Sequence, residues 1–309
     1  MSFTKSTFTI GGINTHVYNS SVLPSYLSTS GSPIVPIHVH YLIHPRGCDY
    51  KFTEDLAYST LGQYYSKKDV TVPLICVTFD NRNHGERTVD ALRNEDWKRG
   101  NNTHAADLIS SIEGIVADIK LVMDFLPMYL NLEAHLPERT VDPKIKFLNI
   151  ISGYSLGGHA VIRFAAKYPS LVDILNPVVG CHDLTSLLIN RLRQTPLDDP
   201  SYDKKYFYHT YKELGLTLEQ KESYPETLHK FLLAQDLDIY ENFPMRHVKI
   251  FAAFGSDDKL VPSKLSKLWI DQYLSSNGAS EVFVEEGVGH KVTKEMDDRF
   301  VNWLVKNVE

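Results

Sequence analysis

The chain has 309 residues, a formal charge of -6 and a hydrophobic content of 43%, which suits one large α/β domain or two small ones. That charge offers no basic field for nucleic acid or an anionic membrane, so small molecules are the expected partners. Cys48, Cys76 and Cys181 are odd in number and widely spaced, which argues against a disulfide framework or a zinc knuckle and fits a reducing compartment.

The N-terminal stretch lacks the apolar core of a secretory signal, and no apolar run approaches a membrane span, so the expected location is cytoplasmic. Residues 3–10 and 13–18, separated by Gly11-Gly12, read as an edge hairpin, because a glycine pair supplies the positive φ angles of a tight turn. Residues 36–43 read as the next strand, with His38, His40 and His44 at even positions and so nominally on one face. Two strand histidines are half of a metal site at most, and buried, hydrogen-bonded histidines are the stronger reading. His44-Pro45-Arg46-Gly47 ends the strand, and a helix is expected over about 53–66.

Residues 72–79 form another apolar strand, followed by Asp80-Asn-Arg82-Asn-His84-Gly85-Glu-Arg87. Leu108, Ile112, Ile115, Ile119, Val122 and Leu126 then recur at steps of three and four, one face of a long helix closed by Pro127. Residues 130–143 read as a loop. The apolar run from Lys146 stops at Gly153-Tyr154-Ser155-Leu156-Gly157-Gly158, and a helix then runs on to Pro169. A strand turning this sharply into a helix strains its turning residue and leaves that side chain clear of the sheet.

Residues 171–179 read as a strand, after which 180–246 is tyrosine-rich and broken by prolines. Tyr202, Tyr206, Phe207, Tyr208 and Tyr211 within it either wall a pocket or glue the segment to the core. Strand character resumes at 248–254 and ends in Gly255-Ser-Asp257-Asp258-Lys-Leu-Val261-Pro262. A helix over 263–274, a strand over 281–285, the loop Gly287-Val-Gly289-His290 and a final helix complete the chain. Strands alternating with helices imply an α/β fold with a doubly wound, mostly parallel sheet.

Gly153-x-Ser155-x-Gly157 between strand and helix resembles the nucleophile elbow of the α/β-hydrolase superfamily. The Asp80 to Arg87 stretch resembles the branch of short esterases related to prolyl-oligopeptidase catalytic domains, where the arginine and acid tie down the loop. The resemblance implies a single α/β-hydrolase domain over 1–309 with a helical cap insertion at about 181–246. A serine needs a base to activate it and a third group to orient that base. The order serine, acid, histidine of this fold puts the base at His290. Spacing leaves the acid open between Asp257 and Asp258. The family's Gly-x-x-Asp-x-x-Val-Pro implies Asp258, with Asp183, after the preceding strand, as a minor alternative. The resemblance also implies that the backbone N–H groups of Leu156 and Arg46 form the oxyanion hole, although Pro45 stands where a glycine is usual.

The activity these residues imply is carboxylic-ester hydrolysis without cofactor or metal, on a small-molecule ester or acyl substrate. Alternatives are a peptidase or thioesterase on the same three residues, a binding protein on the hydrolase scaffold, or a metal hydrolase using His38 and His40. The oligomeric state is not legible.

Overall fold

The computed structural model describes residues 2–67, 70–138, 144–276 and 278–308. Strands β1 (Lys5–Ile10), β2 (Ile13–Tyr18), β3 (Ile34–Ile43), β4 (Leu74–Phe79), β5 (Lys144–Tyr154), β6 (Ile174–Val178), β7 (Lys249–Gly255) and β8 (Glu281–Glu285) form one sheet. Their spatial order is β1-β2-β4-β3-β5-β6-β7-β8. The hairpin β1–β2 is antiparallel and β2 runs antiparallel to β4, whereas β4, β3, β5, β6, β7 and β8 are all parallel.

The helices are α1 (Leu23–Thr29), α2 (Tyr50–Tyr65), α3 (His104–Leu130), α4 (Leu156–Lys167), α5 (Leu184–Arg193), α6 (Leu218–Ser223), α7 (Glu226–Asn242), α8 (Lys267–Ser276) and α9 (Lys294–Asn307). Strand alternation divides them between two apolar layers. Val35, Ile37, Val39, Tyr41 and Ile43 of β3 join the layer that holds α3 and α4, while Leu42 joins the layer of α2 and α9. Burial on both faces explains why β3 and β4 read as nearly unbroken apolar runs.

The histidines of β3 fall on the second face. His38 Nδ1 lies 2.9 Å from the Tyr64 hydroxyl, and His40 Nε2 lies 2.6 Å from Ser152 Oγ. Both have protein partners and buried rings, and burial pushes their pKa values down to about 4 and about 3. Among the described residues no group of three or more His, Cys, Asp or Glu could hold a metal ion.

Two expectations need correction. Pro127 lies inside α3, which runs on to Leu130 before Asn131 caps it in the left-handed conformation, its N–H bonded to the Pro127 carbonyl at 3.0 Å. A proline withholds only its own N–H and crowds the turn before it, so residues beyond it can still close the last turn. The expected loop over 130–143 therefore begins one residue later and includes a 3-10 turn, Leu132–His135, while 139–143 lie outside the described residues. The short helix α1 is not among the elements expected from the sequence pattern.

Parallel register brings several strand ends to one edge. Ile43 stands beside Gly153, Tyr154 beside Val178 and Gly255 beside Glu285. The loops after β3, β5, β6, β7 and β8 thus share the carboxyl edge of the sheet, where open α/β sheets bind ligands.

Candidate active site

Ser155 occupies the step from β5 into α4 with φ 52° and ψ -107°, a conformation that L-residues rarely adopt. Its N–H donates to the Val178 carbonyl at 2.9 Å, and its own carbonyl accepts from His159 N–H at 3.0 Å, so the neighbouring strand and the first helical turn both hold the strain. The flanking glycines are required by space. A Cβ on Gly153 would stand 2.2 Å from the Gly157 carbonyl oxygen, and one on Gly157 would stand 2.2 Å from that of Ile43.

Ser155 Oγ lies 2.8 Å from His290 Nε2, and His290 Nδ1 lies 2.7 Å from Asp258 Oδ2. The other Asp258 oxygen accepts the N–H groups of Leu260 and Val261 at 2.8 and 2.9 Å. Those bonds leave the Asp258 side chain 1% exposed, against 21% for His290. With Nδ1–H donating to the carboxylate, Nε2 is the lone-pair nitrogen and accepts from the serine hydroxyl.

Asp257 is exposed and accepts from the neighbouring Ser256 hydroxyl. Asp183 is buried, but its Oδ1 caps α5 by accepting Ser186 N–H at 2.8 Å. The structure therefore brings Ser155, His290 and Asp258 together and leaves both other aspartates out.

The turn bearing Arg46 is braced through a chain of contacts that starts on α3. Asp118 of α3 accepts from Arg82 and Arg87, each with a 2.8 Å contact, and Arg87 also donates to the Asp80 carbonyl. The Asp80 carboxylate accepts Tyr50 N–H and Glu86 N–H. Asn81 N–H donates to His44 Nε2 at 2.9 Å, and its side-chain amide donates to the His44 carbonyl. Burial, the larger influence, and nearby His84 push the His44 pKa down to about 4, so the ring is neutral and its Nδ1–H donates to the Pro45 carbonyl at 2.8 Å. That carbonyl and Arg46 N–H belong to the same planar peptide, so the His44 ring also orients the donor. Pro45 keeps this geometry because it supplies only a carbonyl here.

Leu156 N–H, at the first position of α4, and Arg46 N–H have no hydrogen-bond partner among the described residues. Both residues wall a cavity of about 370 Å³ together with Ser155, His290, His159 and Arg191. A larger cavity of about 790 Å³ adjoins it, with Arg46, Arg191 and Leu260 common to both.

Two residues of this cavity escaped the sequence reading. His159 lies one turn beyond Ser155 with its Nδ1 against the Cys181 backbone, and burial is the main cause holding its pKa down to about 3. Its position in the elbow helix was the available signal. Arg191 comes from α5, where a basic residue near a helix C-terminus reads as dipole pairing. Of the aromatic cluster, Tyr202 lines the larger cavity, Tyr206 and Phe207 are buried, and Tyr208 is exposed. Tyr211 is partly buried against the core with its hydroxyl donating to the Tyr224 carbonyl at 2.8 Å, so four of the five pack the segment or face solvent and do not line either cavity.

Strand order, elbow and site position together define the α/β-hydrolase fold. No protein-family model matches the chain, and no curated protein matches it. Solved structures do. TT1662 from Thermus thermophilus superposes with a TM-score of 0.61 at 16% identity, covering 100% of this chain and 99% of that one. Est1E from Butyrivibrio proteoclasticus, with ferulic acid bound, gives 0.53 at 13% identity over 98% and 99%. The Pyrococcus furiosus esterase Pf2001 gives 0.52 at 13% identity over 100% and 93%.

Proposed function

We propose that the protein is a serine hydrolase that cleaves a carboxylic ester through an acyl-enzyme. The observation that carries this reading is the hydrogen-bonded line Ser155–His290–Asp258, at 2.8 and 2.7 Å, opening on a cavity beside a strained elbow. Esterases among the proteins of similar fold support the choice of ester over amide or thioester. No helix among the described residues is long and apolar enough to cross a membrane. Three free cysteines, two of them buried, favour a reducing compartment, and we place the protein in the cytoplasm.

Ser155 Oγ attacks the ester carbonyl carbon as His290 Nε2 takes the hydroxyl proton, and Asp258 steadies the imidazolium. The oxygen that gains charge is received by the N–H groups of Leu156 and Arg46, each donor contributing about 3 kcal/mol. The carbon–oxygen bond to the alcohol breaks as His290 returns its proton to the leaving oxygen. Water then attacks the acyl carbon, losing a proton to His290 Nε2, and the bond to Oγ breaks as His290 returns that proton to Oγ, which releases the acid and restores the serine. Residues 181–246 act as the cap over this chemistry, since Arg191, Tyr202 and Glu219 of that segment wall the cavity next to the nucleophile.

Steady-state hydrolysis of p-nitrophenyl butyrate and labelling with a fluorophosphonate test the reading. Ser155→Ala is expected to lower kcat by about a millionfold, and the label is expected on Ser155 alone. Turnover that survives the substitution removes the serine mechanism.

A further inference from the structure

Elsewhere in the fold, several arginines are neutralised in place, the buried Arg163 among them. Arg163 pairs with Asp236, and Arg82 and Arg87 pair with Asp118. The cavity beside Ser155 is different. Arg46 Nη1 donates to the Asn94 carbonyl at 3.0 Å, Arg191 Nη2 to the Leu260 carbonyl at 2.9 Å, and Arg193 to the Tyr206 hydroxyl and the Leu214 carbonyl. Among the described residues none of these three guanidinium groups has a carboxylate partner, and Arg191 Nε is buried with no hydrogen-bond partner at all.

Lys98 and Lys259 add positive charge to the wall, against Asp96 and Glu219. One oxygen of Asp96 is already occupied by Arg99 N–H. A positive cavity in a chain of net charge -6 is a local arrangement that the overall composition opposes. Desolvation, and after it the charge of Arg46, push the Arg191 pKa down to about 10, which leaves it a cation at neutral pH. Holding partly desolvated cations side by side is costly unless an anion joins them.

We propose that this cavity receives the charged end of the substrate, a carboxylate or phosphate on the acyl or alcohol part of the ester, gripped by Arg191 with Arg46 beside it. The proposal rests on the ester-hydrolase reading and narrows it to anionic esters. Because both arginines also wall the cavity holding Ser155, one small ligand spans the reacting carbonyl and the anion site. A planar guanidinium fork suits either anion, forming two parallel charge-assisted bonds.

The test compares p-nitrophenyl butyrate with mono-p-nitrophenyl glutarate, which carries a carboxylate at the far end of its acyl chain. The unmodified protein is expected to favour the glutarate ester in kcat/KM by at least about tenfold, a preference that shrinks as salt is raised. Arg191→Gln is expected to lower the glutarate-to-butyrate ratio by roughly 10- to 100-fold. Inhibition by phenyl phosphate stronger than by free glutarate assigns the site to phosphate, and the reverse assigns it to carboxylate.

Hydrolysis of both esters without preference, or a ratio unchanged in Arg191→Gln, overturns the anion site while leaving the esterase reading intact. Absence of any turnover or fluorophosphonate label overturns the esterase reading instead. The anion site is then judged by melting temperature: a rise with glutarate or inorganic phosphate that is lost in Arg191→Gln supports it, and no rise overturns it.

Discussion

Asp183 and Asp258 follow neighbouring strands, β6 and β7, and both are buried, yet their environments differ in kind. Every contact of the Asp258 carboxylate is with a donor: two backbone N–H groups on one oxygen and the His290 ring on the other. Asp183 has Ser186 N–H on Oδ1, but Oδ2 lacks a hydrogen bond, with the Lys205 ammonium 3.6 Å away. Burial and then the charge of Asp236 push the Asp183 pKa well above the ordinary carboxylate value. The comparison teaches that burial alone does not make a carboxylate useful to a base. What matters is whether hydrogen-bond donors fix its orientation and leave one oxygen aimed at the imidazole.

The largest effect that could break this comparison is on turnover. Asp258→Asn is expected to lower kcat on p-nitrophenyl butyrate by about 10⁴, because an amide can present its N–H₂ to Nδ1 and leave the wrong nitrogen protonated. A loss of less than about tenfold would place the orienting acid elsewhere, with Asp183 the next candidate.

Asp183→Asn sharpens the contrast, because the amide oxygen can still cap α5 and the change falls on stability. A raised folded-state pKa means that the native protein holds this proton more tightly than the unfolded chain. The contribution of Asp183 to stability is therefore intact below the ordinary carboxylate value and declines as pH rises through the raised one. The variant is expected to gain stability over the parent at about pH 8 relative to about pH 5, read from urea midpoints. An equal difference at both pH values would mean that Lys205 already neutralises the carboxylate.

Asp257→Asn, one residue from the proposed acid, is the smallest change. Its side chain is exposed and touches Ser256, so kcat is expected to stay within about twofold and stability within about 0.5 kcal/mol. A drop comparable to that of Asp258→Asn would mean that the loop, not the carboxylate on Oδ2, orients His290.

The elbow was legible in the sequence because its constraints are local. Gly153 and Gly157 are forced by contacts within one strand–turn–helix step and its immediate neighbour β3, and apolar periodicity marks the strand before it and the helix after it. Most other strands, and the face of α3, were readable for the same reason. Boundaries were not: Pro127 looked like a stop, although the end of α3 was decided by the left-handed cap at Asn131. Only the resemblance separates Asp258 from Asp257, since adjacent aspartates in a turn are indistinguishable by spacing.

By itself, then, the sequence determined the α/β alternation, the strained serine and the histidine loop near the C-terminus, because short-range sterics and hydrophobic period specify them. Only the tertiary structure decided which acid reaches His290, that His38 and His40 are tied to Tyr64 and Ser152, and that Arg46 and Arg191 face one cavity. Ser155 and His290 are 135 residues apart, and residues so distant meet only when parallel register aligns the strand ends that carry their loops. No local pattern records such a meeting, because the aligning interactions belong to the sheet and its two apolar layers.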